Sequence, residues 1–469
     1  MIASRGSDKA TKKSSVIRDE VPVDAAARPP DLWAMPETSL AYRSAVRLAT
    51  ALLPLAARLS PKLARAHAAR AGVLDLVGRW GATGRDPSRP LVWFHAPSVG
   101  EGLQAEAVMG ALKARRPEWQ LAYTHFSSSA EALARRVPAE IADYLPYDTP
   151  EAAEALLDAL RPSALVFTKL DLWPELATRA AARGVKVVLI AATVRPGSGR
   201  LGWPARTFLA PGYAALSAAA AIDPADAERL NALGATPGVI AVDGDPRFDS
   251  VAAKVAAVRP DDPLLSLGRG GPTLVAGSTW EEDEGLLLDA FARVRSKHPG
   301  AQLILVPHEP TEAHLHKVDE LARRSALPTP VRLSAGTGAA SLLVIDRVGI
   351  LAALYGAGSM AYVGGGFRRA GLHSVLEPAA WGLPVLMGPN WRESRDAVLL
   401  REAEGAAPLP PPGGPGSPLE MLVETWSGWI EQEGARAQAG RRARAVVDQN
   451  LGASARCAEL IVRTVESQR

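Results

Sequence analysis

The sequence predicts an α/β protein of two successive doubly wound domains, each a parallel sheet covered by helices on both faces. Three observations predict it. Short apolar runs alternate with alanine-rich helical stretches in two separate series. A segment broken by Pro and Gly divides the series. The 469 residues suffice for two cores, each of ordinary size. In such a fold a ligand is expected at the carboxyl ends of the strands, in the cleft between domains.

The elements follow in order. Residues 1–38 are polar, rich in Ser, Lys and Asp, and without periodicity, and read as a disordered tail. They lack the apolar core and small-residue cleavage site of a secretory signal, so export is not expected. In residues 39–75 an uncharged run, Leu48–Ala57, is flanked by Arg43 and Arg47 before it and by Arg58, Lys62 and Arg65 after it. It falls well short of the roughly 20 residues that span a bilayer as a helix. It suits a helix lying in a membrane interface, and equally a helix packed on the domain with its arginines in water. Residues 76–255 carry the first series: strands at Leu91–His95, Leu121–Phe126, Ala164–Phe167, Val185–Ile190 and Val239–Val242, with helical stretches at Ala130–Arg136 and Glu151–Arg161. Ser250–Pro272 reads as the linker. Residues 256–469 carry the second series, at Thr273–Gly277, Leu303–Val306, Leu342–Ile345, Ala361–Val363 and Pro384–Met387. Pro408–Pro418 is a low-complexity surface loop, and a last helix is expected over Ala435–Gln468.

Composition narrows the function. With 47% hydrophobic and 22% charged residues the chain is not disordered as a whole. The single cysteine, Cys457, excludes a disulfide scaffold or cysteine-cluster metal site. The 8 histidines include no H-x-x-x-H pair, so neither a metal nor a cofactor is expected. The 53 basic and 50 acidic residues leave a net charge of +3, too little to point to nucleic acid.

Four places could carry chemistry. His95–Glu101 closes the first strand. There Glu101 is a candidate general base, since a carboxylate beside apolar neighbours can have a raised pKa. Spacing alone favours a capping box, Ser98-x-x-Glu101. Lys169 and Asp171 follow another strand and face either the cleft or each other as a surface ion pair. Arg247, in the turn Gly244–Asp249, suits an anionic leaving group or is a solvated turn residue. Asp243-Gly244-Asp245 reads as a tight turn rather than a metal clamp. Gly364–Pro378 is a Gly-rich loop running into a helix, able to offer backbone N–H groups to a phosphate, with Glu377 placed to hold a ribose hydroxyl. It matches neither a P-loop nor G-x-G-x-x-G, and its glycines could serve positive φ alone.

Eight motifs then stand in a familiar order. They are S-V-G-E at Ser98–Glu101, Y-L-P-Y-D at Tyr144–Asp148, L-W-P at Leu172–Pro174 and F-D at Phe248-Asp249. S-T at Ser278-Thr279, V-G-G at Val363–Gly365, L-E-P at Leu376–Pro378 and P-V-L-M-G-P at Pro384–Pro389 complete them. In order and spacing, from about Leu40 to the C-terminus, the chain resembles the 3-deoxy-D-manno-octulosonic acid (Kdo) transferases of lipopolysaccharide synthesis. The resemblance implies a GT-B fold of two Rossmann-like domains. It implies inverting, metal-independent transfer of Kdo from CMP-Kdo to the lipid A precursor lipid IVA. It also implies a membrane-associating helix at about Ser39–Ala57, holding the protein to the cytoplasmic face of the cell inner membrane. Position by position, Glu101 matches the family's general base, and Arg247 stands where a lysine stabilises the transition state. Pro307 and His308 fall on one nucleotide contact, Val348-Gly349-Ile350 on a second, and Ser374-Val375-Leu376-Glu377 on a third. The chain departs from the pattern at Lys169, where the family has a glutamate, and at His308, Glu309, Ser374 and Thr193. These departures leave open a different activated sugar or acceptor, or a donor-binding scaffold with weak catalysis.

Overall fold

The computed structural model describes residues 37–268, 271–336, 340–369 and 371–467. Nearly all of the expected tail, residues 1–36, lies outside these. The described residues belong to one unit, Met35–Arg469.

Two seven-stranded parallel sheets organise it. The first contains β1 (Leu91–His95), β2 (Gln120–His125), β3 (Ile141–Tyr144), β4 (Ala164–Thr168), β5 (Lys186–Ala192), β6 (Ala218–Ala221) and β7 (Ile240–Val242), in the order β3-β2-β1-β4-β5-β6-β7. The second contains β8 (Thr273–Thr279), β9 (Gln302–Pro307), β10 (Val331–Arg332), β11 (Leu342–Val344), β12 (Met360–Val363), β13 (Val385–Met387) and β14 (Ala406–Pro408), in the order β10-β11-β9-β8-β12-β13-β14. Successive side chains of a strand point to opposite faces. Leu91 and Trp93 accordingly enter one helical layer, while Val92 and Phe94 enter the other. Burial on both faces explains why these strands read as continuous apolar runs. In each sheet the strand order reverses beside the first strand, between β1 and β4 and between β8 and β12. Those reversals are where such sheets open to ligand.

Three expectations need correction. The expected linker begins as helix: Pro246–Ala256 continues through Ser250, capped by Asp245 and anchored by buried Phe248 and Val251. The last helix is two, Glu433–Gln449 and Ala453–Glu466. The break falls at Gly452, whose φ of +90° suits glycine. Asp249 of the F-D motif caps the second piece, accepting from the N–H groups of Gly452 (2.6 Å) and Ser454 (2.7 Å). That piece returns to the first lobe, where Cys457, Ala458, Ile461, Val462 and Val465 pack with Val92, Phe94 and Val188. Each fully buried branched side chain there stabilises by roughly 1.5–3 kcal/mol. Finally, the Gly364–Gly366 loop leads into a helix of only five residues, Leu376–Ala380, so its dipole is small.

The helix Leu40–Ala57 has no buried residue. Its polar side is tied to the first lobe. Tyr42 donates to Asp148 (2.7 Å), Arg43 pairs with buried Glu175 (2.9 Å), and Arg47 pairs with Glu151. Burial pushes the Asp148 carboxyl up to about 6, although Tyr42 and the N–H groups of Glu175 and Leu176 all donate to it. The other side exposes Leu48, Leu52, Leu55 and, just beyond, Leu59 and Leu63. Of the six basic residues over 39–70, Arg43, Arg47 and Arg70 are therefore spent on protein contacts. Arg70 is buried, donating to the carbonyls of Leu145 and Phe126. Among the described residues no helix is long and apolar enough to cross a membrane.

Candidate active site

The first reversal point holds a cluster of charge. The helix Val99–Arg115 starts directly after β1 and carries Glu101 in its first turn. Lys169 ends β4 with a φ of +66°, a conformation sparsely used by residues with a side chain. This turn lets its ammonium reach the Glu101 carboxylate, 3.1 Å away. The capping box is not formed. The Ser98 hydroxyl bonds to the Glu101 carboxylate and caps no backbone group. Burial works to raise the Glu101 pKa, but the Ser98 hydroxyl and Lys169 ammonium bring it below the usual carboxylate range. The raised pKa expected from apolar neighbours is thus reversed by direct partners. Beside this pair, Asp171 accepts from the Trp173 indole (3.1 Å) and lies 3.5 Å from Nε2 of fully buried His95. Burial opposes ionisation of Asp171, and His95 and Trp173 more than offset it, so its pKa is lowered. Lys169 and Asp171 do not pair with one another.

Arg247 joins this cluster from the helix Pro246–Ala256. Its guanidinium bridges two buried carboxylates, Asp245 (2.7 Å) and Asp396 (3.0 Å), the second from the other lobe. Gln104, one turn beyond Glu101, donates to Asp245 (2.8 Å). Glu101 lies within electrostatic reach of Arg247, and Lys169 within reach of Asp396. Burial resists the charge on Arg247, yet Asp396 and Asp245 raise its pKa. Burial holds the Asp396 carboxyl above its ordinary value. The three candidate catalytic residues are therefore brought together, with Arg247 heavily compensated and Lys169 less so.

The second reversal point is built of rings. Trp280 follows β8, with the Arg368 guanidinium 3.9 Å from its ring centre. His308, following β9, lies 4.6 Å from Trp280 and 4.4 Å from His373, ring centre to ring centre. The Trp280 indole donates to Nε2 of His373 (3.1 Å). Burial, then His308 and Arg368, lower the His373 pKa to about 4, so it stays neutral near pH 7. His308 itself is exposed. Asp283 fastens the loop beneath, accepting from Tyr362 (2.7 Å) and from the N–H of Gly365 (2.9 Å). The glycines are needed for close approach: a Cβ on Gly364 would lie 2.3 Å from the carbonyl oxygen of Ser278.

The other expected nucleotide contacts follow β9, β11 and β12 at the same edge. Pro307, the last residue of β9, is buried, as are Val375 and Leu376. Gly349 has a φ of +88°, Val348 is exposed and Ile350 precedes the helix Leu351–Leu354. Ser374 is exposed, and Glu377 lies 3.5 Å from Lys254. Sequence reasoning missed Asp396, Trp280, Arg368 and His373. Trp280 directly follows the S-T motif, a position that could have flagged it. No local pattern marks Asp396. Among the described residues no group of three or more His, Cys, Asp or Glu side chains is placed to hold a metal.

Two Rossmann-like lobes, each with its reversal point at a carboxyl edge, make the GT-B architecture. Residues 52–250 match the family described as 3-Deoxy-D-manno-octulosonic-acid transferase (kdotransferase). A 3-deoxy-D-manno-octulosonic acid transferase from Bordetella pertussis is 30% identical over 396 residues, covering 81% of this chain and 88% of that protein. One from Haemophilus influenzae is 25% identical over 383 residues, covering 79% and 86%. The fold is shared with a UDP-GlcNAc 2-epimerase from Neisseria meningitidis, at a TM-score of 0.56 and 13% identity over 81% of this chain and 100% of that one. The chain belongs to the Kdo transferase family, whose members transfer Kdo in lipopolysaccharide synthesis.

Proposed function

We propose that the protein transfers Kdo from CMP-Kdo to a lipid A precursor, lipid IVA, with inversion, at the cytoplasmic face of the inner membrane. The observation that carries this reading is the meeting of Glu101, Lys169 and Arg247 at the first reversal point. Glu101, ionised at neutral pH, accepts the proton of the acceptor hydroxyl as that oxygen bonds to the anomeric carbon. The bond from that carbon to the CMP phosphate oxygen breaks, and the released phosphate carries the electron pair. Arg247 supplies positive charge near the leaving group, tempered by Asp245 and Asp396. Lys169, the less compensated cation, suits the donor's carboxylate. The stacked rings at the second reversal point suit the cytosine base, with His308 offering the open face. The exposed leucines of Leu40–Ala57 suit a membrane interface, which would keep the lipid acceptor at the same edge.

The test is incubation of the purified chain with CMP-Kdo and tetraacylated lipid A precursor, with mass analysis of the lipid. A Kdo adduct formed in EDTA supports the reading, and no adduct overturns it. A second reading, an altered donor or acceptor, is favoured by Lys169 and His308 replacing the family's glutamate and arginine. A donor panel under the same conditions separates the two.

A further inference from the structure

Trp203 is 87% exposed, matched among the large apolar residues described only by Leu59. It sits in the loop that follows β5, at the carboxyl edge of the first sheet. From Thr193 to Phe208 the chain runs through this loop into the helix Ala205–Ala214 and carries Arg195, Arg200 and Arg206 with no acidic residue, and Arg195 lies 3.9 Å from Glu393. Its root is fixed. Arg200 donates to the carbonyl of Leu170 (2.9 Å), next to Lys169, and Leu201 packs against the core. In the helix Ala205–Ala214 that follows it, Phe208 meets Tyr42 of the helix Leu40–Ala57 at 6.5 Å between ring centres. Trp203 therefore does not hang from a remote surface. Its segment is joined at one end to the turn beside Lys169 and at the other to the helix Leu40–Ala57.

A large indole left in water, on a rooted loop with a basic surround, has a specific chemical fit. Indoles favour the headgroup level of a bilayer, where the ring meets acyl chain and the N–H stays hydrated. Arginines add attraction to anionic lipid. We infer that Trp203 is a second membrane anchor, inserting into the interface of an anionic bilayer alongside the helix Leu40–Ala57. This rests on the membrane reading above and extends it to a residue far along the chain. Two separated points of insertion would fix the protein's tilt, which a single surface helix leaves free to rotate about its axis. With tilt fixed, the carboxyl edge bearing Glu101 faces the bilayer from which a lipid-linked acceptor must rise.

The test uses the full chain and vesicles of equal parts phosphatidylglycerol and phosphatidylethanolamine, with acyl chains brominated to quench nearby indoles. Co-sedimentation and fluorescence are read for the wild type, Trp203→Ser, Trp203→Phe and a helix variant, Leu48→Ser with Leu52→Ser. Trp203→Ser is expected to bind roughly ten-fold more weakly, with Trp203→Phe between. The quenched component of the wild-type emission should vanish in both Trp203 variants. If wild type and the helix variant differ in binding while Trp203→Ser binds and quenches like wild type, Trp203 is no anchor and the membrane reading survives. If the wild type fails to bind, both fall. Self-association of the wild type that Trp203→Ser abolishes, without vesicle binding, would instead assign Trp203 to a contact between copies of the chain.

Discussion

The two sheets have the same strand logic, yet their reversal points are furnished differently. At the first, side chains of opposite charge type meet: Glu101 with Lys169, and Arg247 with Asp245 and Asp396. At the second, flat rings meet: Trp280, His308 and His373 under one guanidinium. The difference teaches that topology chooses where a ligand goes, while the first residues after each strand choose what is done to it. A charged pocket can move a proton and hold anions. A stack of aromatic rings can hold a base by its flat faces.

The comparison breaks hardest at Glu101. Glu101→Gln is expected to lower transfer by a factor of about 10²–10⁴ with donor affinity unchanged, read by steady-state kinetics and calorimetry. Equal turnover would leave that carboxylate a purely structural partner of Ser98 and Lys169. At the other end His308→Ala should weaken CMP binding by roughly ten-fold or more, with little loss of turnover at saturation, because base stacking is worth about 1–3 kcal/mol. A fall in turnover alone would place His308 in the chemistry and erase the contrast.

Lys169 sharpens the comparison further. Lys169→Ala should weaken CMP-Kdo far more than CMP, since only the former carries the sugar carboxylate. The same change removes a cation that lowers the Glu101 pKa, so the acid limb of the pH–rate profile should move to higher pH. Lys169→Glu should not rescue transfer, because it removes the cation proposed to hold the donor's carboxylate. Activity at or above wild type in that variant would end the proposed role. The smallest effect concerns His373. Its pKa near 4 lies below the ordinary histidine value of about 6.5, so it gives stability that is present above that value. Thermal stability should fall as pH drops from about 6.5 through about 4, and His373→Asn should flatten that fall.

Legibility followed side-chain chemistry. β1 was readable residue for residue, because Leu91–His95 is apolar on both faces and bounded by Pro90 and Pro97. β6 was not: four alanines carry no strand signal, and only neighbouring strands make Ala218–Ala221 extend. β10 and β14, at the sheet edges, are too short to show periodicity. At the site, Glu101, Lys169 and Arg247 were visible because each follows a strand. Their meeting was not, since it depends on Asp396, some 150 residues beyond Arg247, which nothing nearby announces. Glu101's low pKa was hidden for the same reason. Burial can be guessed from neighbours in sequence, and so can Ser98, but the second group that overrides it, the Lys169 ammonium, comes from the turn after β4.

The helix Ala453–Glu466 carries a consequence for how the protein is made. The first lobe leaves the ribosome early, but one of its covering helices is translated only after every strand of the second sheet. Until it arrives, Val92, Phe94 and Val188 line an open apolar face. The lobe made first is completed last, and its final piece is positioned by Asp249, which waits at the lobe junction throughout. Nascent chains stalled before Ala453 are expected to keep the first lobe sensitive to protease, and emergence of Ala453–Glu466 to make both lobes resistant in one step. Equal resistance in the stalled chains would mean that the first lobe closes its core without that helix.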